Sequence, residues 1–187
     1  MGYVLASSSP RRKELMKKIS SVFVIDVSNV DETVDPSLSP KEAVKEISLR
    51  KGQAVLNRHK DDIVISADTI VVIDGQIIGK PHDEKDAKRI LNLLSGRKHY
   101  VYTSYCIFYK GQVYQNTVGS SVYFNVLSQK LIDDYVATKS PLDKAGAYGV
   151  QDNEMYPIVS HIEGSLSNVI GFPVEDIIED LKKLELL

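Results

Sequence analysis

The chain has one cysteine, no tryptophan and no long uncharged apolar run, and each shortage removes a class of protein. A lone Cys106 cannot form an internal disulfide or a cysteine-rich zinc site, so its Tyr-rich apolar setting points to core packing. No stretch approaches the ~18 apolar residues of a membrane span, and Met1 to Ala6 lacks the basic start and apolar core of a leader. Gly2 is a poor myristoylation signal, because Ala6 stands where Ser or Thr is needed. The expected location is the cytoplasm, with no membrane partner. Excess charge of one sign is also missing. With 23 Lys and Arg against 25 Asp and Glu, the formal net charge is -2, so no global basic field selects a nucleic acid polymer. A polyanionic ligand must therefore meet local cations. There is no Walker motif, which excludes an ordinary P-loop enzyme. His59, His82, His99 and His161 show no metal-ligand spacing and no serine or cysteine partner.

Repeats, low-complexity segments and linkers are absent as well, so the 187 residues are expected to form one folding unit spanning 1–187, at most cleft into two lobes. Tyr3 to Ala6 reads as a buried strand running into Ser7-Ser8-Ser9-Pro10, where Ser9 can cap a helix that Pro10 begins. Val22 to Val27 reads as a second strand. Ser39-Pro40-Lys41-Glu42 matches a capping box, and Val44, Ile47, Ala54 and Val55 continue at helical spacing. Ile63 to Ile73 is nearly continuous in β-branched residues, interrupted by Ser66, Asp68 and Thr69, and Asp74-Gly75 turns it into a hairpin. Asp83 can cap a helix ending at Ser95-Gly96. His99 to Phe108 and Gln112 to Val126 predict two antiparallel strands around Lys110-Gly111. Ser128 begins a short helix, short strands are expected within 156–163, and Pro173 begins a C-terminal helix. The class is mixed α/β, because the hairpins rule out a purely parallel sheet.

Several side chains sit where a bland role has to be argued. Arg11 and Arg12 fall in the first turn of the opening helix, where the macrodipole disfavours each cation by roughly 0.3–1 kcal/mol. A bound phosphate explains them, since N–H groups, serine hydroxyls and guanidinium forks converge there; arginines directed into solvent are the alternative. Lys51 continues the apolar stripe of its helix, so it must snorkel, pair or bind a ligand. Asp68 lies inside Ile65-Ser66-Ala67-Asp68-Thr69-Ile70-Val71, where an isolated carboxylate is costly. It can hold Mg2+, take a proton from water, or pair structurally with a lysine. Lys80 stands beside the rigid turn of Gly79-Lys80-Pro81. Asp31-Glu32 is either solvated acid or the rest of an oxygen-rich cation site. Asp143 to Gln151 carries two glycines that permit close backbone approach, then a Gln able to read a base edge.

Cations, acids and a Gly-rich segment, without an activated Ser or Cys nucleophile, suit hydrolysis of a phosphoanhydride by metal-activated water. A nucleotide-binding regulator without turnover, such as an inhibitor of septum formation, would use the same cleft but has no need of an acid in the strand. An RNA binder with a local basic patch is the third reading.

Leu5-Ala6-Ser7-Ser8-Ser9-Pro10-Arg11-Arg12, then Ala67-Asp68-Thr69 with Gly79-Lys80-Pro81, then Asp143-Lys144-Ala145-Gly146-Ala147-Tyr148-Gly149-Val150-Gln151 resemble, in this order, the Maf family over nearly the whole chain. The resemblance implies an elongated α/β fold similar to the inosine triphosphate pyrophosphatases: a mixed twisted sheet with flanking helices and two lobes around a central cleft. It implies release of pyrophosphate and a nucleoside monophosphate with a divalent cation, Mg2+ or Mn2+, and a homodimer. Asp68 would be the proton acceptor. Arg11, Thr69 and Gln151 match positions of substrate choice in the branch acting on dTTP and UTP, with modified uridine triphosphates in the same class. Ser8, Arg12, Glu32, Lys51 and Lys80 align with phosphate- or metal-contacting positions, Glu32 joining Asp68 at the metal. The alternative branch prefers 7-methyl-GTP and lacks the Lys-Ala-Gly-Ala-Tyr-Gly-Val-Gln run. The chain departs from the family at Asp152, where Gly is usual, and Ile162 to Asn168 lacks the aromatic residues expected there.

Overall fold

The computed structural model describes residues 1–187. A seven-stranded mixed sheet runs in the order β2 (Val24–Ile25), β1 (Tyr3–Leu5), β3 (Ile63–Ile73), β5 (Lys98–Tyr109), β6 (Gln112–Phe124), β7 (Val159–Glu163), and β4 (Gln76–Ile78) pairs with β3. β1 lies parallel to β2 and β3, while the remaining pairs are antiparallel. Both hairpin turns were legible. Asp74 and Gly75, like Lys110 and Gly111, have positive φ at both central positions, the conformation whose twist matches that of the flanking strands.

β3 organises the molecule. Its edge away from β5 pairs with β1 at Ile63–Ile65 and with β4 at Val71–Ile73, so residues 66–70 have a strand neighbour on one side only. The polar residues that seem to interrupt the strand leave β3 continuous over eleven residues. The interruption is in its neighbour, and it opens the sheet edge at Asp68 and Thr69.

Alternation along β3 then separates the cores. Ile63, Ile65 and Ala67 pack with Leu15 and Met16 of α1 (Pro10–Met16) and with Ile177 and Leu181 of α6 (Val174–Lys183). Val71 and Ile73 lie on that same face but join a second core with Ile90 and Leu91 of α3 (Glu84–Leu94) and Tyr135 of α4 (Gln129–Ala137). The even-numbered Val64, Ile70 and Val72 face α2 (Pro40–Leu56), meeting Val55 and Val44. Two lobes on one face, divided at Thr69, therefore share a sheet that α2 backs. Cys106 is buried in the small core beneath α2, as its setting implied.

Local chemistry fixes the helices. Ser39 Oγ accepts from the Glu42 N–H and the Glu42 carboxylate accepts from the Ser39 N–H, the reciprocal cap expected at the start of α2, worth about 1 kcal/mol. Ser9 and Asp83 cap α1 and α3 in one direction only, their side chains accepting from the N–H groups of Arg12 and Asp86. The strand expected over Val22 to Val27 shrinks to Val24–Ile25, both exposed, because a three-residue β1 offers register to only two partners. The strand in 156–163 begins only at Val159, since Pro157 has no N–H and the Asn153 side chain takes both polar groups of Val159. One short helix, α5 (Leu166–Ile170), has no counterpart in the sequence reading.

α2 packs against the sheet at Gly52, next to Lys51, with no room for a side chain. A Cβ there would overlap the buried Phe108 ring and lie 2.7 Å from Ser66 Oγ. Gly52→Ala is therefore expected to lower stability by about 1–3 kcal/mol through overpacking. Chemical denaturation checks this, and an unchanged midpoint would show that the helix can lift at no cost.

Candidate active site

The open edge of β3 forms the floor of a cleft of about 490 Å³ between the lobes. Ser8, Arg11, Arg12, Glu32, Lys51, Asp68, Thr69, Lys80 and Gln151 all line it, whereas Asp31 does not: its carboxylate accepts from the Thr33 N–H instead. The lining residues arrive from six places: the β1–α1 loop with α1, the loop after β2, α2, the centre of β3, the loop after β4 and the loop after α4.

Asp68 is 8% exposed and its Oδ1 lies 2.6 Å from Lys51 Nζ, whose side chain is 12% exposed. Glu32 Oε1 is 2.9 Å from the same ammonium. One lysine thus bridges two carboxylates, one buried and one exposed. The lysine partner raised as a structural alternative for Asp68 is real, and it stands inside the cleft rather than away from it. Two hard carboxylate oxygens in one cavity suit Mg2+ or Mn2+, which takes one or two protein carboxylates and completes its shell with water and substrate phosphate. No group of three or more His, Cys, Asp or Glu side chains is arranged to hold a metal ion.

On the opposite face, Thr69 meets Arg12. Arg12 donates to the Gly171 carbonyl (2.9 Å), Ser7 Oγ (3.3 Å) and Thr69 Oγ1 (3.1 Å), so three of its five N–H groups are used and two remain. Burial lowers its pKa from the ordinary guanidinium value, against the opposing attraction of Asp68. Thr69 Oγ1 is 3.0 Å from Thr103 Oγ1, which donates to the Asn168 carbonyl. Arg11 crosses to the other lobe and pairs with Asp143 at 3.2 Å. Burial pushes the Asp143 pKa up, but Lys144 and Arg11 outweigh it and leave it below the usual carboxylate value. Neither arginine points idly into solvent. Lys80 is exposed and makes no ion pair, and the Gln151 amide makes no hydrogen bond within the chain.

Three contributors escaped the sequence reading. Lys144, on the far wall, bonds Ser140 and Asp143. Gly171, the left-handed cap of α5, supplies the carbonyl that seats Arg12. The signal was present in Ser165 and Gly171 as cap and stop, but five residues are too few for a helical period. His99, assigned no chemistry, is fully buried behind the cleft-lining Tyr148, with Nε2 2.8 Å from its hydroxyl and Nδ1 unpartnered.

A model of the Maf-like protein family matches residues 2–184. A dTTP/UTP pyrophosphatase from Bacillus cytotoxicus is 42% identical over 183 residues, covering 98% of this chain and 95% of the relative. Its counterpart from Bacillus mycoides is 42% identical over 182 residues, covering 97% and 95%. Among solved structures, the Staphylococcus aureus Ham1 protein superposes with a TM-score of 0.57 at 11% identity, covering 98% of both chains. A HAM1 protein from Coxiella burnetii gives 0.52 at 12% identity, covering 97% and 98%. These two bear out the mixed α/β architecture with flanking helices.

Burial lowers the His99 pKa to about 4. This lies below the unfolded imidazole value of ~6.5, so its contribution to stability is whole above that pH and is lost as pH falls through about 4, by on the order of 3 kcal/mol. Unfolding measured from pH 8 to pH 4 is expected to show a shallower acid loss in His99→Gln than in the native chain. Parallel curves would contradict it.

Proposed function

Because the chain belongs to the Maf family, we propose that it is a nucleoside triphosphate pyrophosphatase that hydrolyses dTTP and UTP to the monophosphate and pyrophosphate. Modified uridine triphosphates fall in the same substrate class. The observation that carries this reading is the buried Asp68 carboxylate, held by Lys51 on the floor of a cleft that also gathers Arg11, Arg12, Lys80 and Glu32.

In this mechanism the triphosphate lies along the open edge of β3. Lys51, Lys80 and Arg11 hold its phosphates, Arg11 leaving Asp143, and the Ser8 hydroxyl adds a donor. Arg12 contributes its two free N–H groups and keeps Thr69 in place. Glu32 and Asp68 would hold Mg2+ or Mn2+, which would neutralise phosphate charge and lower the pKa of water. Asp68 takes the proton from the water that attacks the α-phosphate, and Lys51 holds that carboxylate directed into the cleft. Gln151 offers one donor and one acceptor to the base, as a pyrimidine edge requires, while Thr69 closes the pocket behind it. The chain works as one folding unit, because β3, β5 and β6 run through both lobes, and it acts in the cytoplasm as a homodimer.

Pyrophosphate release from dTTP, UTP, CTP, GTP and 7-methyl-GTP tests the proposal. At least about tenfold preference for a pyrimidine nucleotide is expected, roughly 1.4 kcal/mol in transition-state binding. Asp68→Asn should retain nucleotide binding and lose about a hundredfold or more in kcat. A native chain that binds nucleotide in the presence of Mg2+ but turns none over, like its Asp68→Asn variant, would reverse the conclusion in favour of a regulator.

A further inference from the structure

Asp152 follows the cleft-lining Gln151 but does not itself line the cleft. Its carboxylate faces inward, into the loop between α4 and β7. One oxygen, Oδ2, accepts from Tyr135 Oη at 2.7 Å and from Ser140 Oγ at 2.8 Å. The Tyr135 hydroxyl accepts in turn from the Gly149 N–H at 3.0 Å, and Ser140 Oγ accepts from Lys144 Nζ at 3.0 Å. One carboxylate is therefore the terminal acceptor of two relays. The first runs from the backbone of Gly149 and the second from the side chain of Lys144, and both of those residues line the cleft.

Tyr135 is fully buried on α4, so the relay ties a wall of three single-turn segments to a helix of the second core. Hydroxyl donors to an ionised acceptor form the stronger kind of hydrogen bond. A wall made of short turns has little else to hold it, since single 3-10 turns carry few internal bonds.

We propose that Asp152 is a positioning residue for substrate selection: acting through Tyr135 and Ser140, it holds Gly149 to Gln151 and Lys144 in place before the nucleotide arrives. Resting on the pyrophosphatase reading above, the inference assigns to Asp152 the pre-ordering of the pocket for a pyrimidine triphosphate, which reduces the entropy lost on binding. The effect belongs in KM and in discrimination, since Asp152 touches no reacting atom.

Steady-state kinetics with dTTP and GTP, alongside hydrogen exchange of the Gly149 amide, test it. Asp152→Ala is expected to raise KM for dTTP about three- to tenfold, the cost of a lost buried hydrogen bond, with kcat within about twofold. The preference for dTTP over GTP should fall by a similar factor. Asp152→Asn should restore both, because its amide oxygen still accepts from the two hydroxyls. Tyr135→Phe should reproduce the loss and speed exchange at Gly149. An Asp152→Ala protein with lowered Tm but unchanged KM, preference and Gly149 exchange would overturn the proposal. If the native chain releases no pyrophosphate from any triphosphate, the pyrophosphatase reading fails separately. Gly149 exchange and the ratio of dTTP to GTP binding then decide this one, and equality between native and Asp152→Ala proteins overturns it.

Discussion

The contact on which the cleft depends is the 2.6 Å pair between Asp68 and Lys51. A carboxylate in the centre of a sheet costs several kcal/mol in lost hydration unless a charge of opposite sign meets it there. The lysine that does so comes from α2, whose position is set by Val44 and Val55 packing on the sheet and by the absence of a side chain at Gly52. Glu32 shares the same ammonium from the solvent side. A helix, a strand and a loop are thus joined at one point, and the charge left over there is the one the chemistry needs.

That point exists because a neighbouring strand is missing. β1 and β4 each cover only three residues of the same edge of β3, and the gap between them lets a ligand approach Asp68 and Thr69 from the side. Alternation then places the two residues on opposite faces, one with Lys51 and the other with Arg12 and Gly171. The arginine that looks in the sequence like a phosphate ligand is largely spent on protein acceptors. Its role is divided between seating the lobes and facing the cleft.

Much of this was legible before any coordinates. The capping box of Ser39 and Glu42, the hairpin turns at Asp74-Gly75 and Lys110-Gly111, and the oddity of Asp68 within β-branched neighbours all follow from local rules. What the residues themselves did not reveal is pairing. Polar residues inside an apolar run read as a broken strand, whereas the strand is continuous and its neighbour is broken. Arg11 with Asp143 and Arg12 with Gly171 lie 132 and 159 residues apart, beyond any periodicity. The three motifs of the Maf resemblance carried the grouping of Ser8, Lys80 and Gln151, which spacing could not. Asp152 stood out only as a departure from that pattern, and its partners Tyr135 and Ser140 explain why an acid is tolerated there.

If Asp68 directs water at the α-phosphate, the position of the new oxygen reports it. Hydrolysis of dTTP in oxygen-18-labelled water, followed by mass spectrometry of both products, is the most direct measurement. The label is expected in the nucleoside monophosphate, with unlabelled pyrophosphate released. Label in the pyrophosphate, or orthophosphate as the released anion, would contradict the central claim.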